Sequence, residues 1–393
     1  MTPKRKLLFY CQYLLGMGHL VRSMEIVRGL NEFDVRFLNG GQIVPGFELP
    51  AEVDLVNLPP IKSDETFSEL FTFDAQKTLE EIKQIRAERV LAEYESFRPD
   101  VLVIELFPFG RLKFAFELIP LLERARADGG VKVVCSVRDI LVGQRDPKTF
   151  EDRVCQRINQ FFDLVLIHSD PRWQSFGETF GSLDKINCPI RYTGYVAQPA
   201  KSDGEASRDP FLVGEEKTIL VSVGGGRVGG ELIDCAIDAS ELIAQTHTHR
   251  MLIFAGPYPA AEEFQRMEQK VAARPNIRLS RYTTDFPAYM ERADLSISMA
   301  GYNTCMNIVT AGQRAVVYPF TRGGNEEQAR RAEKLRELGL AEVIHEEELT
   351  PAKLAEKALL ALARPKPAIA AVDLNGVENT ARALNELVEG AAS

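Results

Sequence analysis

Short apolar runs alternate with segments of helical periodicity along the chain. Leu7 to Tyr13, Val35 to Leu38, Val53 to Leu58, Val101 to Leu106, Val131 to Val137 and Leu164 to His168 each read as a buried strand, and the alternation predicts a parallel sheet with helices on both faces. Within this region Leu79, Ile82, Ile85, Val90, Leu91 and Tyr94 recur at helical spacing among charges, which predicts an amphipathic surface helix. Gln198 to Glu216 carries Pro199, Lys201, Ser202, Asp203, Gly204 and Pro210 without periodicity and reads as a linker. The alternation then restarts with Thr218 to Val223, Met251 to Ala255, Ile277 to Leu279, Leu295 to Met299, Ala315 to Tyr318 and Ala341 to Ile344. In the last segment Val377, Ala381, Leu384 and Leu387 share one helical face.

The pattern is α/β throughout, with two Rossmann-like domains expected at residues 1–197 and 217–365, a linker at 198–216, and a tail at 366–393 whose helix is expected to pack back across the cleft between them. A length of 393 residues agrees, being too long for one ordinary core. A net charge of −9 argues against general nucleic-acid binding. No apolar stretch approaches the roughly 20 residues of a membrane span, and Met1-Thr2-Pro3-Lys4-Arg5-Lys6 leads straight into a strand, unlike a signal peptide, so a cytoplasmic protein is expected. The six cysteines show no CxxC spacing and are expected to be reduced core thiols.

Candidate chemistry gathers where strands end. After the first strand, Gly16-Met17-Gly18-His19-Leu20-Val21-Arg22-Ser23 lacks the third glycine and distal carboxylate of a dinucleotide fingerprint and the spacing of a P-loop. It supplies an imidazole at a positive helix end, where the neutral form is favoured, so His19 is the candidate base, or else a turn or capping histidine. Arg22 is placed to bind a carboxylate or phosphate, or to pair with Glu25 on the surface. The second base candidate is Glu105, ending the strand Val101 to Leu106; it otherwise orients an acceptor hydroxyl or caps the next helix.

In the second domain, Gly224, Gly225, Gly226, Gly229 and Gly230 around Arg227 permit close backbone approach to a diphosphate, or serve strand-to-helix packing. The run Ser298-Met299-Ala300-Gly301-Tyr302-Asn303-Thr304 predicts a strand, a glycine turn and a helix N-terminus, a setting that favours phosphate. Pro319-Phe320 and Glu326-Glu327-Gln328 follow at the end of the next strand.

This order of parts resembles the GT-B glycosyltransferases of the family 28 type, which include the lipid-II-forming N-acetylglucosaminyltransferases. The resemblance spans the chain, weakly in the first domain and well in Leu295 to Ala341. It implies two parallel sheets facing each other across a cleft, diphosphate contact at Gly301, Tyr302, Asn303 and Thr304, sugar contact by Glu327 and Gln328, and base recognition by the backbone at Thr283 in Tyr282-Thr283-Thr284-Asp285-Phe286. Gly18 and the Gly224–Arg227 turn join the donor-binding set. Two positions depart from the family pattern. Asn307 stands where a ribose-binding glutamate is usual, and Glu327 replaces the first of two glutamines.

The implied reaction is inverting transfer of a sugar from a nucleotide donor, expected to be UDP-linked, to an acceptor hydroxyl. No Asp-x-Asp occurs, so no metal or other cofactor is expected, and backbone amides would stabilise the leaving diphosphate. The glycine-histidine turn also resembles the UDP-sugar hydrolase of pseudaminic acid synthesis, which makes hydrolysis the alternative; a non-catalytic nucleotide-sugar-binding protein is a third reading.

On the acceptor side, Phe107, Arg111 and the aromatics through Phe116, with Phe67, Phe71 and Phe73, form either a lipid-facing rim or apolar pocket, or core. Arg138 with Asp139 ends another strand, as a ligand contact or a local ion pair. The acceptor is expected to be a small or lipid-linked molecule, with peripheral contact at the inner face of the membrane. His168 beside Ser169 and Asp170 does not read as a triad, nor the pair His247 and His249 as a zinc site.

Overall fold

The computed structural model describes residues 4–14, 17–44, 46, 48–64, 69–141, 143, 146–202, 204–322, 326–367 and 371–390; Gly16, Phe67 and Asp203 lie outside them. The chain forms two compact units, Met1–Val196 with Val372–Ser393, and Ala197–Ala371.

The first unit runs through β1 (Arg5–Cys11), α1 (Gly18–Arg28), β2 (Phe33–Asn39), β3 (Asp54–Asn57), β4 (Ile61–Ser63), β5 (Leu70–Thr72), α2 (Leu79–Phe97), β6 (Val101–Glu105), α3 (Ala115–Asp128), β7 (Lys132–Arg138), α4 (Pro147–Phe161), β8 (Leu164–His168) and β9 (Ile190–Tyr192). Seven strands form a parallel sheet in the order β3-β2-β1-β6-β7-β8-β9, and β4 with β5 makes a separate antiparallel hairpin. The apolar runs of β6 and β8 are buried along their whole length because helices cover both faces. The hairpin and β9 have only three residues per strand, too short for a periodic signal.

α2 is more than the surface helix its periodicity predicts. Arg86, in its middle, is fully buried. Its guanidinium bonds both oxygens of Glu117 (2.9 and 2.6 Å), Oε1 of Gln12 (2.7 Å) and the carbonyls of Gly40 and Pro59 (3.0 and 2.8 Å), while the Tyr10 hydroxyl also donates to Glu117. Each buried polar group thereby has partners, which is the condition for tolerating the charges.

The second unit contains α5 (Glu205–Arg208), β10 (Lys217–Ser222), α6 (Gly230–Ala244), β11 (His249–Phe254), α7 (Ala261–Val271), β12 (Ile277–Ser280), α8 (Phe286–Arg292), β13 (Leu295–Met299), α9 (Tyr302–Ala311), β14 (Ala315–Tyr318), α10 (Glu327–Glu337), β15 (Ala341–Val343) and α11 (Pro351–Ala363). Its parallel sheet has the order β12-β11-β10-β13-β14-β15. Much of the segment read as a linker is a folded edge of this unit. Asp209 accepts hydrogen bonds from Arg278 (2.8 Å) and the Tyr289 hydroxyl (2.8 Å), and the Ala206 amide donates to Asp285 (2.8 Å). These contacts are polar and local, so they leave no apolar period in the sequence.

The tail returns to the first unit. The Tyr195 amide donates to the Asp373 carbonyl (2.7 Å) and Asn379 to the Thr193 carbonyl (2.8 Å), and α12 (Gly376–Glu389) packs on α1, with Val377 against Gly29. In each sheet the strand order reverses once, between β1 and β6 and between β10 and β13. Crevices at such reversals, outside the carboxyl ends of the strands, are where open α/β sheets bind ligands.

Candidate active site

At the first reversal, His19 is the second residue of α1 and Glu105 the last of β6. The residue after Glu105, Leu106, takes a left-handed φ of 67°, a conformation costing a non-glycine residue roughly 1–2 kcal/mol. Its amide donates to the Ser136 carbonyl at 2.7 Å, which fixes the turn.

His19 Nδ1 lies 2.7 Å from Oε1 of Glu105, a fully buried carboxylate, while the imidazole keeps 13% of its side-chain surface exposed. The same oxygen accepts a hydrogen bond from Arg22, one helical turn after His19 and also buried. Arg22 therefore does not pair with Glu25 on the surface; Glu25 bonds Arg28. Burial pushes the His19 imidazole down to about 3, against the upward pull of Glu105. Burial alone would raise the Glu105 carboxyl, but His19 and Arg22 outweigh it and bring it to about 2. At neutral pH the pair is an imidazole and a carboxylate, so Nδ1–H donates to Glu105 and Nε2 keeps its lone pair. Desolvation, and not the helix dipole invoked from the sequence, leads in favouring the neutral imidazole. Glu105 is fully buried and its Oε1 accepts hydrogen bonds from both His19 and Arg22.

Around this pair, Arg111 adopts a left-handed φ of 57° and donates Nε to the Gln12 carbonyl at 2.8 Å. The charges of Arg111 and Arg138, the last residue of β7, both act on His19. Phe107 is not on a rim. It is fully buried with Phe109 and Phe114, because the turn after β6 directs these rings into the core. Phe71 and Phe73, on and beside the hairpin, are each 41% exposed. His168 bonds Ser136 Oγ through Nε2 (2.7 Å) and Thr193 Oγ1 through Nδ1 (2.9 Å), while Ser169 donates to the Gln174 carbonyl, so no Ser/His/Asp triad forms. His249 is likewise engaged, with Ser240 Oγ at 2.8 Å and the His247 carbonyl at 3.1 Å. Among the described residues no three His, Cys, Asp or Glu side chains gather to hold a metal, and no helix is long and apolar enough to cross a membrane.

At the second reversal the glycines divide by role. A Cβ on Gly226 would come within 2.1 Å of the Ala255 carbonyl oxygen, and its φ is +79°, so Gly226 serves loop packing instead of ligand approach. The Gly225 carbonyl accepts from the Tyr258 amide (3.1 Å), and Arg227 stacks over the Tyr258 ring at 4.8 Å. Among the described residues nothing lies within 4 Å of a Cβ added to Gly224 or Gly301.

Gly301 is the N-cap of α9, and Tyr302, Asn303 and Thr304 are its first turn. The first amides of such a helix point out of its end, where the dipole adds positive potential. Tyr302 is buried, whereas Asn303 and Thr304 are half-exposed. Asn307, one turn further, is buried and its Oδ1 has no hydrogen-bond partner among the described residues. Thr283 donates its hydroxyl to Glu205 (2.9 Å) and accepts from the Asp285 amide (3.0 Å). Gln328 accepts from the Phe320 amide at 3.1 Å, and Glu327, buried at the start of α10, lies 3.9 Å from Arg331. Gly18, the first residue of α1, belongs to the first unit.

Sequence reasoning missed Arg331, which is buried and donates Nη1 to the Ala300 carbonyl at 2.9 Å. Its spacing from Glu327 was a usable signal, because i and i+4 share one helical face.

Residues 218–388 match the glycosyltransferase family 28 C-terminal domain. A UDP-N-acetylglucosamine–N-acetylmuramyl-(pentapeptide) pyrophosphoryl-undecaprenol N-acetylglucosamine transferase of Brucella anthropi is 30% identical over 202 residues, 50% of this chain and 53% of that protein. The enzyme of the same name from Brucella melitensis biotype 2 is 26% identical over 213 residues, 51% and 56% of the two chains. The chain thus spans about half the length of these curated relatives. Among solved structures, the glycotransferase of kitacinnamycin superposes with a TM-score of 0.59 at 16% identity, covering 100% of this chain and 98% of that one. Acinetobacter baumannii MurG does so with a TM-score of 0.54 at 15% identity, covering 99% and 100%. The C-terminal part of the chain is thus similar to the glycosyltransferase family 28 C-terminal domain, and the fold as a whole is that of GT-B glycosyltransferases.

Proposed function

We propose that this protein transfers a sugar from a nucleotide-sugar donor, UDP-linked by analogy with its relatives, to an acceptor hydroxyl, with inversion and without a metal. The observation that carries the reading is the His19–Glu105 pair at a sheet reversal, an imidazole whose Nδ1 is engaged by a buried carboxylate and whose Nε2 keeps its lone pair. Nε2 takes the acceptor's proton as its oxygen bonds to the anomeric carbon, and the bond from that carbon to the diphosphate oxygen breaks. Charge on the departing diphosphate meets the amides at the start of α9, beside Gly301, where no described atom lies within 4 Å of an added Cβ. Asn307, whose buried Oδ1 has no partner among the described residues, is the candidate for a ribose hydroxyl, and Glu327 with Gln328 for the sugar. The acceptor side comprises Arg22 as a support of Glu105, with Arg111 and Arg138 as candidate contacts. The exposed Phe71 and Phe73 support contact with a lipid-linked acceptor at a membrane surface.

The test is incubation with a panel of nucleotide sugars, with and without hydroxyl acceptors, following nucleoside diphosphate release and the fate of the sugar. Transfer lost in His19→Ala with donor binding retained supports the proposal. Equal release of free sugar with and without acceptor favours the hydrolase instead, and binding without turnover under all conditions favours a non-catalytic role.

A further inference from the structure

In the second unit α9 and α10 are joined by one buried side chain. Arg331 is 1% exposed and donates Nη1 to the Ala300 carbonyl, immediately before the Gly301 turn. Its guanidinium carbon lies 5.8 Å from the centre of the Tyr302 ring, and its Nη1 lies 3.9 Å from Oε1 of Glu327 on the first turn of α10. One cation thus holds the entrance to the α9 turn and faces a carboxylate from the neighbouring helix. Resting on the nucleotide-sugar reading above, we infer that Arg331 is a positioning residue for the donor diphosphate, and that Glu327 and Arg331 set its affinity through opposing charges.

The physical argument concerns sign. A diphosphate at the α9 N-terminus gains from the fixed positive charge behind the turn and loses from the carboxylate beside it. Both charges are buried, where solvent screens them less than it screens surface pairs. A purely structural pair would behave differently, since breaking it from either side would weaken the site.

The experiment measures binding of uridine diphosphate and uridine monophosphate by calorimetry to wild type, Arg331→Gln, Arg331→Lys and Glu327→Gln, at low and high salt. Arg331→Gln is expected to weaken diphosphate binding about fivefold or more, with a smaller effect on the monophosphate, and Arg331→Lys to recover part of the loss. Glu327→Gln is expected to tighten diphosphate binding severalfold, with the gain shrinking as salt rises. Weakening by Glu327→Gln, or no change in either charge-removing variant, overturns the inference while leaving the nucleotide-sugar reading intact. Failure of wild type to bind any of a panel of nucleoside diphosphates removes that reading and the inference with it. If Arg331→Gln does not fold, the sign of the Glu327→Gln effect decides.

Discussion

His19 Nδ1 and the Arg22 guanidinium converge on one oxygen, Oε1 of Glu105, so a single buried carboxylate sets both the orientation and the tautomer of the imidazole. Replacement by an amide separates these two functions. Glu105→Gln keeps the shape, but its NH2 can donate to Nδ1 and drive the proton to Nε2, removing the lone pair that accepts the substrate proton. Turnover is expected to fall by about 10²–10⁴ with donor KM little changed. Steady-state kinetics on the purified variant checks this, and a turnover within a few-fold of wild type would refute the assigned tautomer.

The same burial predicts the pH profile. Burial holds His19 at about 3, so the imidazole stays neutral far below the ordinary histidine range. The rate is therefore expected to remain flat from pH 8 down to 5, where an exposed histidine base would already have lost most of its activity. An acid limb in kcat/KM near pH 6.5 that is absent from substrate binding would contradict the burial of this base.

Stability takes the opposite course. His168, like His19, is pushed down to about 3 by burial. Between about 3 and 6.5 the unfolded chain binds protons that the folded chain excludes, so stability is complete above 6.5 and declines as pH falls through this window. Each histidine contributes a slope of up to about 1.4 kcal/mol per pH unit. Replacing His168 by Gln is expected to lower stability at pH 7 and reduce the loss between pH 6.5 and 5, read from denaturant unfolding at each pH. An unchanged pH slope would exclude His168 as a contributor.

The parallel strands and glycine turns were legible because full burial leaves continuous apolar runs and strand-to-helix turns leave glycines. His19 and Glu105 were legible as strand-end residues, but their pairing was not, since 86 positions separate them and only the β1–β6 adjacency joins them. Phe107 was ambiguous for a related reason: alternating aromatics and cations look alike on a rim and in a turn that buries its rings. Gly226 and Gly301 were also indistinguishable in sequence, although one fills a tight contact and the other has no described atom within 4 Å of an added Cβ.

That difference gives a paired prediction. At Gly301 φ is −68° and an added methyl meets no described atom within 4 Å, so the stiffer unfolded chain and the poorer N-cap of Gly301→Ala should roughly offset and stability should change by no more than about 1 kcal/mol. The methyl would occupy the proposed diphosphate space, and nucleoside diphosphate affinity is expected to drop about tenfold. Gly226→Ala must accommodate both a positive φ and the Ala255 carbonyl, and is expected to destabilise by about 1–3 kcal/mol. Thermal unfolding and calorimetry on both variants separate the roles, and equal effects in the two assays would show that the glycines are not divided as the structure divides them.

Arg86 and Glu117 pose the question of cost most directly, because both are fully buried and joined at 2.6 and 2.9 Å. Arg86→Met leaves the Glu117 carboxylate without its cation, along with the Gly40 and Pro59 carbonyls that Arg86 now satisfies. The loss is expected to be about 3–5 kcal/mol. The double variant Arg86→Met with Glu117→Leu removes both charges, so the part of the loss due to the uncompensated carboxylate should return, while the cost of the Gly40 and Pro59 carbonyls and of the Tyr10 hydroxyl, which loses its acceptor, remains. Because Gln12 bonds Arg86 through its side chain and Arg111 through its carbonyl, the single variant should also loosen Arg111 beside His19 and lower turnover more than donor affinity. A double-mutant cycle in denaturant tests the first part and the kcat-to-KM split the second. Additive losses in the cycle would mean that the two side chains contribute independently, contrary to a network that must be complete to be stable.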